Sequence, residues 1–167
     1  MNELIEKRHS IRKYRNDKPV TGEQIKQLLE AAMFAPSACN SRPWEFAVIT
    51  KRETLDEIAR IHPFAAMCAT ATAAIVVVAI PQEGKPEGYF PQDCAAATQN
   101  ILLEASSMGL GSCWCGVYPK TDRIAEIRAL LCIPEPKIPF NVIALGIPDE
   151  TPVPRGFFDE SKVTYIE

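Results

Sequence analysis

One stretch sets the fold of this 167-residue chain: Ile75-Val76-Val77-Val78-Ala79-Ile80. It is continuous, apolar and rich in β-branched side chains, which is typical of a strand covered on both faces. Working outward from it, further strands are predicted over residues 46–50 and 141–147, and residues 111–117 are predicted to form a strand or a tight loop. Because these segments alternate with predicted helices, the chain should be α/β or α+β.

Three threonines are placed to cap helices. Thr21 is followed three residues later by Gln24, the pattern of a capping box, so a helix should begin there. That helix should end before Pro36, because the residue preceding a proline avoids the helical region. The other two threonines predict helices over about residues 51–61 (capped by Thr50) and 121–131 (capped by Thr121).

The longest predicted helix spans residues 92–108, and a further short one is expected over residues 2–8. Apolar side chains recur along one face of the long helix, and Gly109 suits the position that follows a helix C-terminus. The helix also has an alanine-rich face, which would allow a second helix to approach closely.

Composition excludes several classes of function. Hydrophobic residues make up 47% and charged residues 23%, as expected for one globular domain, and the net charge of −3 disfavours general nucleic-acid binding. The longest apolar run, residues 71–80, is too short for a helix to cross a hydrocarbon layer of ~30 Å. The first eight residues hold no apolar region, so we expect no secretory signal, a cytoplasmic location and reduced cysteines.

Side chains for direct acid–base or metal chemistry are sparse. There are two histidines, His9 and His62, and no Gly-x-Ser-x-Gly motif. Cys113 and Cys115 are separated by one residue and lack a second ligand pair, so no metal site is expected and the six cysteines are interpreted mainly as buried structural thiols. A Cys–His pair and a thiol-redox role for Cys113 and Cys115 stay open as alternatives.

Two segments are better candidates for a binding site. Cationic side chains, an imidazole and a hydroxyl, the donors that a phosphate monoester needs, are concentrated in Arg8-His9-Ser10-Ile11-Arg12-Lys13-Tyr14. A proline-bracketed loop with small polar donors, suited to the edge of a planar heterocycle, is Pro36-Ser37-Ala38-Cys39-Asn40-Ser41-Arg42-Pro43-Trp44. Trp44 itself is expected in the core.

With these residues in view, the sequence resembles the FMN-dependent nitroreductase family in four segments that span nearly the whole chain. In order, they are Arg8-x-Ser10-Ile11-Arg12-x-Tyr14, Pro36-Ser37-x-x-Asn40-x-x-Pro43-Trp44, Gly109-Leu110-Gly111-Ser112-Cys113-Trp114-Cys115-Gly116, and Gly146-Ile147-Pro148-Asp149-Glu150 followed by Arg155 and Asp159-Glu160-Ser161-Lys162-Val163. One departure is Phe157, which stands where the family often has a second basic residue.

The resemblance implies an α+β, three-layer fold with a central, mostly antiparallel sheet flanked by helices. It also implies one domain over residues 1–167 in an intertwined homodimer, with the tail 151–167 packing on the partner subunit. The cofactor would be FMN. The implied FMN-binding residues at the phosphate and ribityl chain are Arg8, His9 and Ser10, with Arg155 closing on the phosphate, and Arg12 would lie at the pyrimidine edge. The ring would be lined by Trp114, Cys115 and Gly116, with a backbone N–H of Cys115 or Gly116 aimed at N5. The partner's flavin would be reached by Pro36, Ser37 and Asn40.

The implied reaction is ping-pong hydride transfer from NADH or NADPH, through flavin N5, to a nitroaromatic, a quinone or a similar acceptor. The flavin would carry the chemistry, so no catalytic side chain is predicted. Two alternatives keep the flavin: an enzyme specific for one metabolite, and a dimeric flavin-binding sensor without turnover.

Overall fold

The computed structural model describes residues 1–81, 88–153 and 156–167. Its sheet has five strands, which are β1 (Tyr14–Arg15), β2 (Trp44–Ile49), β3 (Ala73–Ala79), β4 (Gly111–Gly116) and β5 (Ile138–Pro148). The long strand β5 pairs with β3, β4 and β1, and β3 also pairs with β2; all of these pairings are antiparallel. The predicted α+β class with a mostly antiparallel sheet is therefore confirmed.

Strand β3 is the centre of the molecule and is buried along its whole length. Its alternate side chains enter two different cores, because successive residues of a strand point to opposite faces. Ala74, Val76 and Val78 face one core, and Ile75 and Val77 face the other. The apolar run therefore predicted correctly a strand covered on both faces.

Helices cover each face of the sheet and complete three layers. On one side lie α2 (Gly22–Met33) and α4 (Phe90–Ser107), and on the other lie α3 (Arg52–Ile61) and α5 (Thr121–Leu131). A short helix, α1 (Glu3–Lys7), precedes them and buries no residue. Within the described ranges, no helix has the length and apolar character needed to span a membrane.

One of the three predicted helix caps is confirmed and two are wrong. The Thr21 side chain accepts from the Gln24 N–H at 3.2 Å while Gln24 Oε1 accepts from the Thr21 N–H at 2.9 Å, which completes the capping box. Lysines occupy the N-cap positions of α3 and α5 and make no side-chain cap bond. Thr50 and Thr121 each lie one residue from the N-cap, where a short hydroxyl cannot reach the unpaired N–H groups of the first turn.

The helix that lies close to the alanine-rich helix α4 belongs to the same chain. Helix α4 packs against α2, and the Asn100 side-chain amide donates to the Ala31 carbonyl at 2.9 Å across that contact. Gly109 follows the helix with a φ of +70°, which confirms the predicted C-terminal glycine, since only a residue without a side chain adopts that φ at little cost. The helix starts two residues earlier than predicted, with a proline in its first turn.

The chain from residue 156 onward lies on the surface. Its apolar side chains are exposed, including Phe157 (85%) and Ile166 (95%), and its only helical element is a 3-10 turn at Glu160–Lys162. A tail that buries so little of its own apolar surface has the property expected of a segment that packs on a partner. The packing itself stays a prediction.

Candidate functional site

The cationic segment at residues 8–14 is fixed to the sheet by its two apolar members. Ile11 and Tyr14 are buried, the Ile11 N–H donates to the Ser112 carbonyl at 2.9 Å, and the Tyr14 hydroxyl donates to the Ile11 carbonyl at 2.6 Å. Burial raises the pKa of Tyr14, so the phenol stays protonated and can donate. The polar side chains of the segment are thereby held at the surface beside β4.

A first cleft, of about 410 Å³, collects four of the predicted cofactor-binding residues. Its walls come from Arg8, His9, Ser10 and Arg12 on one side and from residues 150–153 on the other. Two guanidinium groups, an imidazole and a hydroxyl thus converge on one volume, as the sequence predicted. We call it the cationic cleft.

Glu150 lines the same cleft, although no role of its own was predicted for it from the sequence. Its Oε1 accepts from the backbone N–H of Arg12, and from that of Lys13 at 3.2 Å. The carboxylate is therefore engaged by backbone donors and fixes the turn that carries Arg12. The available signal was its position at the end of the Gly146–Glu150 segment, directly after the longest strand.

A second cleft, of about 470 Å³, opens along β4 and shares Arg12 with the first. We call it the ring cleft. Three predicted residues, Trp114, Cys115 and Gly116, line it, although the Trp114 ring packs against Phe140 at a centroid distance of 6.0 Å. The opposite wall was missed by the sequence analysis; it is formed by Pro63, Phe64, Ala66 and Met67. The available signal for it was Phe64, an aromatic residue that follows Pro63 shortly after the end of α3.

The outer edge of β4 determines which backbone groups face the ring cleft. The carbonyls of Ser112 and Gly116 accept bonds from outside the sheet, whereas the Val117 N–H points inward to the Phe140 carbonyl. Alternate residues of an antiparallel strand direct their N–H and C=O groups to the same edge. The N–H groups of Trp114 and Gly116 therefore face outward and that of Cys115 faces β5, so Gly116 is the better candidate for the predicted N5 donor.

Cys113 and Cys115 lie on one face of β4, at the floor of the ring cleft. The pKa of Cys113 is lowered, chiefly by a hydrogen bond with Cys115 and further by Arg12, while the same bond and burial raise the pKa of Cys115. Burial raises the pKa of both Cys68 and Cys94 to about 12, as expected for structural thiols. In the part of the chain that the structure describes, no three His, Cys, Asp or Glu side chains are grouped to hold a metal.

The proline-bracketed loop is separate from both clefts of its own subunit. A 3-10 turn at Ala38–Asn40 is held by Asp93, whose Oδ1 accepts from the Ala38 N–H at 3.0 Å. The Arg42 N–H donates to Ser37 Oγ at 2.9 Å, and Arg42 Nε donates to Asn40 Oδ1 at 3.1 Å. Trp44 is buried, as expected, but Pro36, Ser37 and Asn40 line neither cleft.

The remaining predicted residue, Arg155, lies outside the described residues. Thr151, Pro152 and Val153, which precede it, line the cationic cleft. Phe157, two residues after it, is 85% exposed.

The molecule is thus a three-layer α+β protein with a cationic cleft and a ring cleft that share one arginine. Comparison with known proteins shows the family to which it belongs. The model of the nitroreductase family matches residues 5–74 and 61–147. A Methanothermobacter thermautotrophicus protein, by name an NADH dehydrogenase/NAD(P)H nitroreductase, is 48% identical over 96% of this chain and 84% of its own.

Two solved structures extend the similarity to three dimensions. A protein of the same name from Parabacteroides distasonis is 41% identical, with a TM-score of 0.91 over 98% of this chain and 95% of its own. A Clostridium difficile protein named as an FMN-dependent nitroreductase is 30% identical, with a TM-score of 0.91 over 100% of this chain and 99% of its own. The chain belongs to the nitroreductase family, a family of oxidoreductases, which confirms the resemblance seen in the four sequence segments.

Proposed function

We propose that the protein is an FMN-dependent oxidoreductase that transfers a hydride from NADH or NADPH to a nitroaromatic, a quinone or a similar acceptor, by a ping-pong mechanism. The main support for the proposal is that the cationic cleft and the ring cleft are both lined by Arg12. FMN has the matching form, a dianionic phosphate joined by a short chain to a planar ring. The similar protein named as FMN-dependent, 30% identical along its whole length, supports the same cofactor.

The residues present fit that cofactor. Arg8, His9 and Ser10 would hold the phosphate and the nearby ribityl oxygens, since guanidinium and hydroxyl donors form short, charge-assisted bonds to phosphate oxygens. Arg12 would lie at the pyrimidine edge, where its positive charge stabilises negative charge on the ring. Bound FMN would supply the hydride-transfer chemistry, and the protein contributes binding, orientation and electrostatics.

The ring cleft would hold the isoalloxazine along β4. Trp114, Cys115 and Gly116 line one side of it, and the outward N–H of Gly116 is the donor we assign to N5. Phe64 and Met67 supply an apolar wall that excludes water from the ring edge.

A second subunit would complete the site. Ser37 and Asn40 are exposed or half-buried in the loop apart from the clefts, and the Asn40 Oδ1 already accepts from Arg42, so the group it can offer a ligand is its Nδ2. We infer that Pro36, Ser37 and Asn40 contact the flavin bound mainly by the other subunit of a homodimer. The tail, with Arg155, would close over the phosphate or the partner surface.

The test is a spectroscopic titration of the purified protein with FMN, followed by anaerobic addition of NADH or NADPH and then of a nitroaromatic or a quinone. We expect stoichiometric binding per subunit, bleaching of the flavin by the nicotinamide, and its reoxidation by the acceptor. Arg8→Ala should weaken FMN binding by roughly tenfold or more, since a hydrogen bond to a charged group contributes about 1.5–3 kcal/mol. Lys18→Ala, which removes an exposed cation from outside both clefts, is the matched control.

The outcomes separate the alternatives. Bound FMN that neither nicotinamide reduces would indicate a sensor rather than an enzyme. Reduction without turnover of nitroaromatics or quinones would indicate an enzyme specific for another metabolite. A colourless protein that does not bind FMN at saturating concentration would overturn the proposal.

A further inference from the structure

The two walls of the ring cleft are joined by a set of polar contacts that the proposed reaction does not itself require. One of the residues that make these contacts is His62, which is 2% exposed and directly follows the last residue of α3. Its Nδ1 accepts from the Phe64 N–H at 3.2 Å, and its Nε2 lies 3.0 Å from the Gly116 carbonyl. Because Nδ1 accepts, the proton of the neutral imidazole lies on Nε2, so this atom donates to Gly116.

Arg123, from α5, contacts the same two residues from the other side. Its Nη1 donates to the Gly116 carbonyl at 3.1 Å, and its guanidinium carbon lies 5.0 Å from the centroid of the Phe64 ring, within cation–π range. Each wall of the cleft is therefore held by both His62 and Arg123.

Gly116 has particular need of such contacts. A Cβ at this position would meet nothing within 4 Å, and glycine has the widest choice of backbone angles. Gly116 is also the last residue of β4, although the Val117 N–H that follows it still donates to the Phe140 carbonyl of β5. Two donors on the Gly116 carbonyl hold the Gly116–Val117 peptide unit. Through the φ and ψ angles of Gly116 they also limit the orientations open to the preceding Cys115–Gly116 unit, which carries the outward N–H.

We propose that His62 and Arg123 are positioning residues of the ring cleft, which together fix the Gly116 backbone and the Phe64 wall around the flavin ring. The inference rests on the proposed function, because it assigns these residues to the orientation of the flavin ring. Neither residue touches the cofactor in this assignment. They act through Gly116 and Phe64.

The first measurement needs no cofactor. In the FMN-free protein, amide hydrogen exchange at Cys115 and Val117, whose N–H groups face β5, should become several-fold faster in His62→Leu and in Arg123→Met, because local opening is controlled by the contacts that hold a segment. His62→Gln can still donate from its amide to the Gly116 carbonyl and should restore slow exchange. Arg60→Met removes an exposed cation, paired with Glu57, from the same helix end and should leave exchange unchanged.

The second measurement uses the FMN-loaded protein. In His62→Leu and Arg123→Met, FMN affinity should be nearly unchanged, because the cationic cleft is intact. The kcat for reduction should fall by roughly tenfold or more, because small misplacement of the reacting groups is costly. The visible spectrum of the bound flavin should also move toward that of FMN in water.

If the His62→Leu variant does not fold, the Arg123→Met variant still tests the inference. Unchanged exchange and unchanged kcat in folded Arg123→Met, or an equal effect of Arg60→Met, would overturn the inference. Failure of the wild-type protein to bind FMN would instead overturn the proposed function, and the exchange experiment would still report whether the two residues hold Gly116.

Discussion

At the scale of single residues, Arg12 is the group on which the proposed site depends. Its backbone N–H donates to the Glu150 carboxylate, whereas its side chain is exposed and, among the described residues, makes a long contact of 3.5 Å from Nη1 to the Ser10 carbonyl. A fixed backbone with an available guanidinium is suited to a ligand that spans two clefts. The position of the Arg12 backbone is thus set by the protein before any ligand binds.

Replacement of Arg12 should make the bound flavin harder to reduce. We expect a more negative midpoint potential in Arg12→Ala, by about 30 mV for each tenfold loss in preferential binding of the reduced cofactor. Arg12→Lys retains the charge and should recover part of the shift. Spectroelectrochemistry of the three proteins measures the effect, and equal potentials in wild type and Arg12→Ala would contradict this role.

His62 should make folding stability depend on pH. Its pKa is lowered, first by burial and also by the Arg123 charge, against the opposing effects of the hydrogen bond to the Gly116 carbonyl and, to a smaller extent, of Glu126. The folded state therefore takes up a proton less readily than the unfolded chain. The stabilisation is complete above the ordinary histidine pKa of ~6.5, is lost as the pH falls below it, and changes no further below the folded-state value.

Urea unfolding at pH 7.5, 6.0 and 5.0 tests this pH dependence. The free energy of unfolding of the wild type should fall more steeply with decreasing pH than that of His62→Gln. Parallel slopes for wild type and His62→Gln would show that His62 does not titrate in this range.

At the scale of elements, two glycines let the cationic segment lie against the sheet. Gly111 of β4 and Gly146 of β5 are directly paired across the two strands. A Cβ on Gly111 would come within 2.8 Å of Ile11 Cγ2, and one on Gly146 within 2.9 Å of Tyr14 Cδ1. The absence of side chains at this pair creates the surface on which the segment packs.

Gly111→Ala should therefore destabilise the protein by about 1–3 kcal/mol, as expected for an overpacked buried site. Gly22→Ala, at the first residue of α2 where a Cβ meets nothing within 4 Å, should be neutral or slightly stabilising. Denaturant unfolding of both variants measures the difference. Similar stabilities would mean that the Ile11 side chain can move aside at little cost.

At the scale of the whole molecule, the proposed site is divided between two regions of one subunit. The clefts lie beside β4, whereas the loop that carries Ser37 and Asn40 leads into β2, at the far edge of the sheet. A dimer related by a two-fold axis can bring each loop to the other subunit's clefts. The exposed apolar side chains of the tail provide contact surface for it.

We expect the protein to sediment as a dimer, and Phe157→Ser combined with Phe158→Ser to shift it toward the monomer. The two rings are 85% and 76% exposed in the subunit, so their loss should leave the circular dichroism of the fold unchanged. Replacement of Val48, also exposed but on β2, with serine is the control and should leave the dimer intact. A wild-type monomer at micromolar concentration would contradict the expected partner contacts.

Features that depend on neighbouring residues or on a repeating pattern could be predicted from the sequence. The run at Ile75 predicted a doubly covered strand, and Thr21 with Gln24 predicted a capping box, because each signal arises within a few residues of the chain. The four motif segments indicated the family without any knowledge of how they meet. The local pattern did not predict the start of a helix to the residue: Thr50 and Thr121 each lie one residue from the N-cap position that they were predicted to occupy.

How distant residues come together became visible only in the folded chain. The fold placed Arg12 between two clefts, chose Gly116 rather than Cys115 as the outward donor, and brought His62 against β4, more than 50 residues away in the chain. Such contacts follow from strand register and from the edge to which each backbone group points. Those properties are set by the pairing of β4 with β5 and by the packing of α3 and α5 over them, so no local stretch of sequence contains them.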